Sequence, residues 1–238
     1  MNERRYRRIC QMMAMRQPDL TICLEEIHKP HNVSAIVRSA DAVGIHQIHA
    51  ICWPDQHVKL SVSSAAGSNS WVKVTSHQST EEAISQIKSQ NMQVLATNLS
   101  EHAVDFREID YTRPTCIMMG QEKKGISQKA LALADKHIII PMAGMVQSLN
   151  VSVASALILY EAQRQRQLAG MYDREHSVLS EQEQQEWLFE GGYPVLAEVA
   201  KRKGLPRPHI NEQGQIEATD DWWVQMQLTE KMKRQQFG

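Results

Sequence analysis

Residues 138–159 read IIIPMAGMVQSLNVSVASALIL, and no other stretch narrows the fold as far. Its opening run, Ile138-Ile139-Ile140, is apolar and β-branched, which suits a strand buried on both faces of a parallel sheet. Pro141 ends the ladder by removing a backbone donor. Gly144 opens backbone angles closed to other residues. Ser148 and Asn150 are both good helix caps, and one of them starts a helix running from Val151 to about Arg166. A strand, a tight polar loop and a helix N-terminus leave backbone N–H groups free to point at something. Such a unit is either an ordinary βα connection or a ligand-binding loop, because βα loops are where α/β proteins bind ligands.

The rest of the chain repeats this alternation. A helix is expected over residues 2–16, then a strand at Thr21–Leu24 and a helix at Asn32–Val43, with Asn32 as its cap and Gly44 just past its end. His46–Ile51 is the next strand, stopped by Trp53-Pro54, and Ser63–Gly67 is a helical turn. Strands follow at Trp71–Thr75, Met92–Thr97 and Thr115–Met119, with helices at Thr80–Gln90, opened by Thr80, and at Ser127–Ala134. Asp105–Arg113 reads as irregular. Alternating strands and helices imply an α/β fold, a parallel sheet with helices on both sides.

After Arg166 the character changes. A linker (Tyr172–Ser180) leads to an acidic helix (Glu181–Glu190), a Gly191-Gly192 turn and a short helix over Val195–Lys203. A Pro/Gly-rich segment and a final helix from about Asp220 complete the chain. Trp187, Phe189, Trp222 and Trp223 concentrate here, either pinning these helices to the core or to a partner subunit, or stacking on RNA bases. The division expected is a basic N-terminal helix (1–19), an α/β domain (20–167) and a helical C-terminal extension (168–238).

Net charge is −1, so the chain is not a globally basic nucleic-acid binder, but its charge is clustered. Arg4, Arg5, Arg7, Arg8 and Arg16 against Glu3 give residues 1–16 a balance of +4. Lys201, Arg202, Lys203 and Arg207 give residues 201–208 the same. Each cluster alone is either a solvated helix face or a phosphate-contacting surface. Two of them flanking an α/β core point toward RNA. Cys10, Cys23, Cys52 and Cys116 form no CxxC pair and sit in apolar stretches, so they read as buried hydrophobes of a reduced cytosol. His28-Lys29-Pro30-His31 has no further ligand cluster nearby, and His46 and His49, three apart on a strand, face opposite sides, so no metal site is expected. No apolar run is long enough to span a membrane, and the arginine-rich start lacks the apolar segment of a signal peptide.

Three segments share a likeness beyond periodicity: Asn32–Gly44 (NVSAIVRSADAVG), Ile117–Ser127 (IMMGQEKKGIS) and Ile140–Glu161 (IPMAGMVQSLNVSVASALILYE). In this order they resemble the signature motifs of the SPOUT-class RNA 2′-O-ribose methyltransferases, specifically the TrmH-type tRNA guanosine methyltransferases. The resemblance implies a SPOUT methyltransferase fold with a C-terminal trefoil knot, which no periodicity could suggest. It implies S-adenosylmethionine as cofactor, held largely by the backbone around Thr97, Leu99, Gly120, Ile140, Ser148 and Leu149. It implies a homodimer in the cytoplasm acting on a guanosine of the tRNA D-loop, at position 18 in tRNA convention. By the same carry-over the catalytic set is Arg38, Asn32, Glu122, Ser148 and Asn150. Arg5, Arg8, Lys201, Arg202 and Lys203 are the expected RNA contacts.

Asn32 and Arg38 lie six apart and share no helix face, so Asn32 belongs at the helix entry, reaching across. Arg38 is either the base that takes the ribose proton or a group that orients and polarises the ribose–phosphate. A guanidinium is a poor base: with a reference pKa of about 12.5, neutralising it at pH 7 costs roughly 7.5 kcal/mol. Without the resemblance Arg38 would read as an exposed helix arginine, and Glu122 as an acid near a helix N-terminus. Three other functions compete: a 2′-O-methyltransferase for ribosomal RNA or a wobble nucleotide, a non-catalytic RNA-binding module, and a small-molecule α/β enzyme. The presence of the whole motif set argues against the second. Salt-sensitive binding to tRNA would separate out the third.

Overall fold

The computed structural model describes residues 1–27, 29–51, 71–122 and 124–227, which fall into two compact units. One runs Met15–Arg174; the other joins Met1–Ala14, which carries helix α1 (Glu3–Ala14), to the stretch from Glu175 onward.

The Met15–Arg174 unit is built on β1 (Leu20–Glu25), β2 (Gln47–Ile51), β3 (Lys73–His77), β4 (Gln93–Thr97), β5 (Val104–Asp105), β6 (Thr115–Met119) and β7 (Lys136–Ile139). They form one sheet in the order β3-β2-β1-β6-β4-β7-β5, and every pairing is parallel. The central strands β1 and β6 are buried throughout, as apolar strands covered on both faces must be. Period-two alternation distributes their side chains. Ile22, Leu24, Ile117 and Met119 enter one core cluster, with Ile36 and Val37 of α2 (Pro30–Ala42) and Ile158 and Leu159 of α5 (Val151–Leu168). Cys23, Cys116 and Met118 enter another, with Ile84 and Ile87 of α3 (Thr80–Ser89) and Ala130 of α4 (Gln128–Leu133).

Arg166, fully buried near the end of α5, ties this unit together. Its guanidinium donates to Asp19 Oδ1 at 2.5 Å, Gln17 Oε1 at 3.0 Å and the carbonyls of Tyr111, Arg113 and Asp19. A buried arginine is tolerable only when its donors are satisfied in this way.

Several local expectations need correction. Helix α2 begins at Pro30, whose fixed φ is already helical, and Lys29 occupies the cap position without a side-chain cap bond. Asn32 therefore lies inside the first turn and is not the cap. Ser79, not Thr80, caps α3 by accepting from the Glu82 N–H. Of the two candidate caps expected for α5, Asn150 serves, accepting from the Ser152 N–H. The segment read as irregular at 105–113 opens with β5, which pairs with β7, and a 3-10 turn at Phe106–Glu108. β3 starts two residues later than expected. Cys52, the Trp53-Pro54 break and the Ser63–Gly67 turn lie outside the described residues.

In the other unit, α1 packs on α6 (Glu181–Gly192), which a Ser180–Glu183 capping box opens. Gly191 and Gly192 continue that helix and form no turn. α7 (Pro194–Lys203) follows, then a short antiparallel hairpin, β8 (His209–Ile210) and β9 (Ile216–Glu217), within the segment expected to be only Pro/Gly-rich. Helix α8 covers Asp220–Gln227, and its expected continuation lies outside the described residues. Phe189 meets Trp222 edge-on, their rings 6.2 Å apart, and the Trp222 indole N–H donates to the Pro206 carbonyl at 2.9 Å. Both rings are buried, so these aromatics pin their own unit.

Candidate functional site

The carboxyl ends of β4, β6 and β7 open into a cavity of about 410 Å³. Thr97 and Leu99 line it after β4, Gly120 after β6 and Ile140 after β7; Ser148 and Leu149 line it just before α5. These are the six positions expected to hold a cofactor. Val151, Ala154 and Ile158 of α5 add apolar lining.

Backbone approach shapes the β6 side. A Cβ on Gly120 would lie 2.3–2.4 Å from backbone atoms of Gly125 and Ile126, so only glycine fits there. Gln121 and Gly125 exchange two backbone hydrogen bonds, 3.1 and 2.8 Å, and Gly125 takes the left-handed φ of +69° that closes the loop. This loop carries Glu122 to the cavity rim.

Glu122 anchors a polar cluster. It accepts from Lys29 Nζ through one carboxylate oxygen and from Asn32 Nδ2 through the other. Asn32, almost fully buried, accepts in turn from Asn150 Nδ2 at 3.5 Å. The hydrogen bond from Lys29, and then that from Asn32, hold the Glu122 carboxyl below the usual carboxylate range, so it is ionised at neutral pH. The loop before α4 also removes it from the first helical turn where sequence alone would put it.

Of the five expected catalytic residues, Asn32, Glu122 and Asn150 meet directly, and Ser148 lies on the cavity wall. Arg38 stands apart. It is about 9 Å further along α2 and roughly 120° around it from Asn32. It is exposed and has no hydrogen-bond or ion-pair partner among the described residues. Asn32 is committed to Glu122 and Asn150 and makes no bond to Arg38. Sequence reasoning missed Lys29, because a pairing across 93 residues leaves no local signal.

The expected RNA contacts differ in how free they are. Arg5 donates twice to the Gly191 carbonyl, at 3.2 and 2.6 Å. Lys203 donates to the carbonyls of Gln225 and Met226 at 2.9 and 2.6 Å. Arg5 is thereby a cationic cap for the C-terminus of α6, and Lys203 is tied to backbone carbonyls of α8. Arg8, Lys201 and Arg202 are exposed and, among the described residues, make no such bond.

Other titratable groups are not arranged for chemistry. Burial pushes the Cys23 and Cys116 thiols far up, while Cys10 is half-buried. His46 and His49 are both buried. Burial and the neighbouring His77, 2.9 Å away, push His49 down to about 4, so it is neutral at pH 7. No group of three or more metal-ligating side chains occurs among the described residues.

Comparison with known proteins adds the family. The SpoU rRNA Methylase family profile matches residues 19–160, and that for SpoU, rRNA methylase, C-terminal matches residues 164–219. The tRNA (guanosine(18)-2'-O)-methyltransferase of Escherichia coli (strain K12) is 70% identical over 227 residues, covering 95% of this chain and 99% of that one. The crystal structure of A. aeolicus TrmH/SpoU tRNA modifying enzyme superposes with a TM-score of 0.74 at 41% identity, over 79% of this chain and 97% of that chain. The SpoU methyltransferase AviRb from Streptomyces viridochromogenes, in complex with the cofactor AdoMet, superposes with a TM-score of 0.58 at 31% identity, over 64% and 62%.

Proposed function

The chain belongs to the SpoU rRNA methylase family, and on that premise we propose that it methylates the ribose 2′-hydroxyl of guanosine 18 in tRNA. The observation that carries this is the 70% identity to an enzyme of that name over nearly the whole of both chains. S-adenosylmethionine is the methyl donor.

The cavity suits that donor. The backbones of Gly120, Gly125 and Ile126, packed too closely for a Cβ at Gly120, form part of the cavity wall, and the apolar lining of α5 matches an adenine ring and a methionine chain. Thr97, Leu99, Gly120, Ile140, Ser148 and Leu149 would hold it. When bound, it supplies a methyl group on a positively charged sulfur. The protein must orient the ribose and let its 2′-hydroxyl lose a proton. Among the described residues Arg38 has no partner, which supports its guanidinium being available to a ribose–phosphate, where a planar fork of donors is well suited. The roughly 7.5 kcal/mol needed to neutralise a free guanidinium at pH 7 favours this orienting role over that of an unaided base. Glu122, held ionised, fixes Asn32, while Asn150 links that cluster to the start of α5.

The trefoil knot is supported by β7, which enters the sheet between the earlier strands β4 and β5. A homodimer is supported by Val153, Leu157 and Tyr160, exposed apolar residues at helical spacing on α5. The division into a basic N-terminal helix, a catalytic domain and a C-terminal extension that binds RNA, and a cytoplasmic location, complete the proposal. No helix among the described residues is long and apolar enough to cross a membrane.

Methyl transfer from labelled S-adenosylmethionine to unmodified tRNA transcripts tests the proposal. Label on wild-type tRNA, none on a transcript substituted at guanosine 18, and none with the Arg38→Ala protein is the expected pattern. Label on both transcripts would keep the chemistry and move the target elsewhere.

A further inference from the structure

Two consecutive acids at the end of β1 have no part in the cluster around Glu122. Glu25 is 4% exposed, yet among the described residues it has no cationic partner. Its carboxylate instead accepts three hydrogen bonds: from Thr80 Oγ1 at 2.8 Å, Ser127 N at 2.7 Å and Ser127 Oγ at 2.8 Å. Ser127 is the cap of α4 and ends the loop that begins at Gly120. Glu26 follows with a φ of +53°, a backbone conformation that L residues seldom adopt. Successive residues of an extended strand point to opposite faces. The left-handed backbone takes Glu26 out of that alternation, and its carboxylate reaches the same loop, accepting from Gln121 Nε2 at 2.6 Å.

The loop on the β6 side of the cavity is therefore held at both ends by adjacent carboxylates, through Gln121 at its start and Ser127 at its finish. Between those points lie Glu122, Gly125 and Ile126, which line the cavity. A buried carboxylate without a counter-ion costs stability unless its environment uses it. The αL conformation of a glutamate is likewise strained, and such strain collects at functional sites.

We propose that Glu25 and Glu26 are positioning residues that fix the loop between Gly120 and Ser127 against the cofactor cavity. They touch no reacting atom. They set the order of the loop before S-adenosylmethionine arrives, so their loss falls on cofactor affinity before turnover. The inference rests on the methyltransferase reading only for the identity of the ligand.

Two variants of the full-length protein test it. Glu26→Ala removes the bond to Gln121 at a half-buried position, where folding is not at stake. Glu25→Gln keeps shape and one acceptor. Its amide oxygen must stay on the Ser127 N–H, so both hydroxyls, which donate to the other carboxylate oxygen, have to reverse their role and accept. The readouts are amide hydrogen exchange at Gln121 and Gly125 without ligand, calorimetric binding of S-adenosylmethionine, and kinetics that separate KM from kcat. In both variants the expected result is faster exchange at those two amides. It is accompanied by a Kd for S-adenosylmethionine raised about tenfold, equivalent to about 1.4 kcal/mol, with kcat at saturating cofactor within about twofold of the parent. If Glu25→Gln does not fold, Glu26→Ala alone decides. Unchanged exchange with a Kd within about twofold of the parent in Glu26→Ala overturns the proposal. A parent protein that binds no S-adenosylmethionine instead overturns the methyltransferase reading, while the exchange result still judges the two clamps.

Discussion

Asn32 donates through its side-chain amide to the Glu122 carboxylate across 90 residues of chain, joining the first turn of α2 to the loop after β6. The same bond brings two sequence motifs together at the rim of the cavity. Glu122→Ala would remove the acceptor for both Asn32 and Lys29. The buried Asn32 amide would lose its partner at a cost of about 1–3 kcal/mol. Turnover is expected to fall by at least tenfold in Glu122→Ala, with tRNA affinity changed by no more than about twofold. Steady-state methyl transfer and filter binding check this. Full activity would mean that the cluster is incidental.

Charge reversal separates the basic residues. Arg8→Glu and Lys201→Glu, at exposed positions that make no side-chain bond among the described residues, should weaken tRNA binding and lower the slope of log K against log salt, by up to about one per cation lost. Arg5→Glu and Lys203→Glu should instead lower stability, because these side chains donate to backbone carbonyls of α6 and α8. Thermal melts beside salt-dependent binding distinguish the two outcomes. Equal loss of binding with unchanged melting in all four would contradict the division.

The exposed α5 face gives a third test. Leu157→Glu places a charge in the row Val153, Leu157 and Tyr160. If this row is the subunit interface, light scattering should show the variant as a monomer at concentrations where the parent is a dimer. A parent that is itself monomeric removes the proposal.

Acid should destabilise the Met15–Arg174 unit through His49. Its folded pKa of about 4 lies below the ordinary value of 6.5, so the unfolded chain binds more protons between those values. Stability is then full above pH 6.5 and falls as pH drops toward 4, by about 2 kcal/mol at pH 5. Urea unfolding at pH 7 and pH 5, with His49→Asn showing a smaller difference, checks the sign. A flat profile would mean that the histidine pair opens to solvent.

Arg166 should be costly to lose. Arg166→Ala leaves the buried Tyr111 carbonyl without its donor and the partly exposed Asp19 without its partner, and an unsatisfied buried acceptor alone costs about 1–3 kcal/mol. A denaturant midpoint unchanged from the parent would contradict that.

The sheet was legible because its strands carry their burial locally. Thr115–Met119 is apolar on both faces, and that is where β6 runs, end to end. Local helix starts were less secure. Several capping residues sit near each N-terminus, and tertiary competition decides among them: the Thr80 hydroxyl is drawn to Glu25, which leaves Ser79 as the cap. Pairings at long range, such as Lys29 with Glu122 or Gln121 with Glu26, were invisible, since nothing near either residue in sequence marks its partner. The residues around the cavity were reached only through three motifs resembling a known family. Periodicity places them at strand ends without saying what those ends bind.

The most direct test of the whole account is to map the methyl group. Unmodified tRNA is incubated with the protein and S-adenosylmethionine, digested, and sequenced by mass spectrometry. The account predicts one 2′-O-methylguanosine per molecule, at position 18, and none when Arg38 is alanine. A methyl group at any other nucleotide, on a base rather than a ribose, or undiminished in Arg38→Ala, would contradict it.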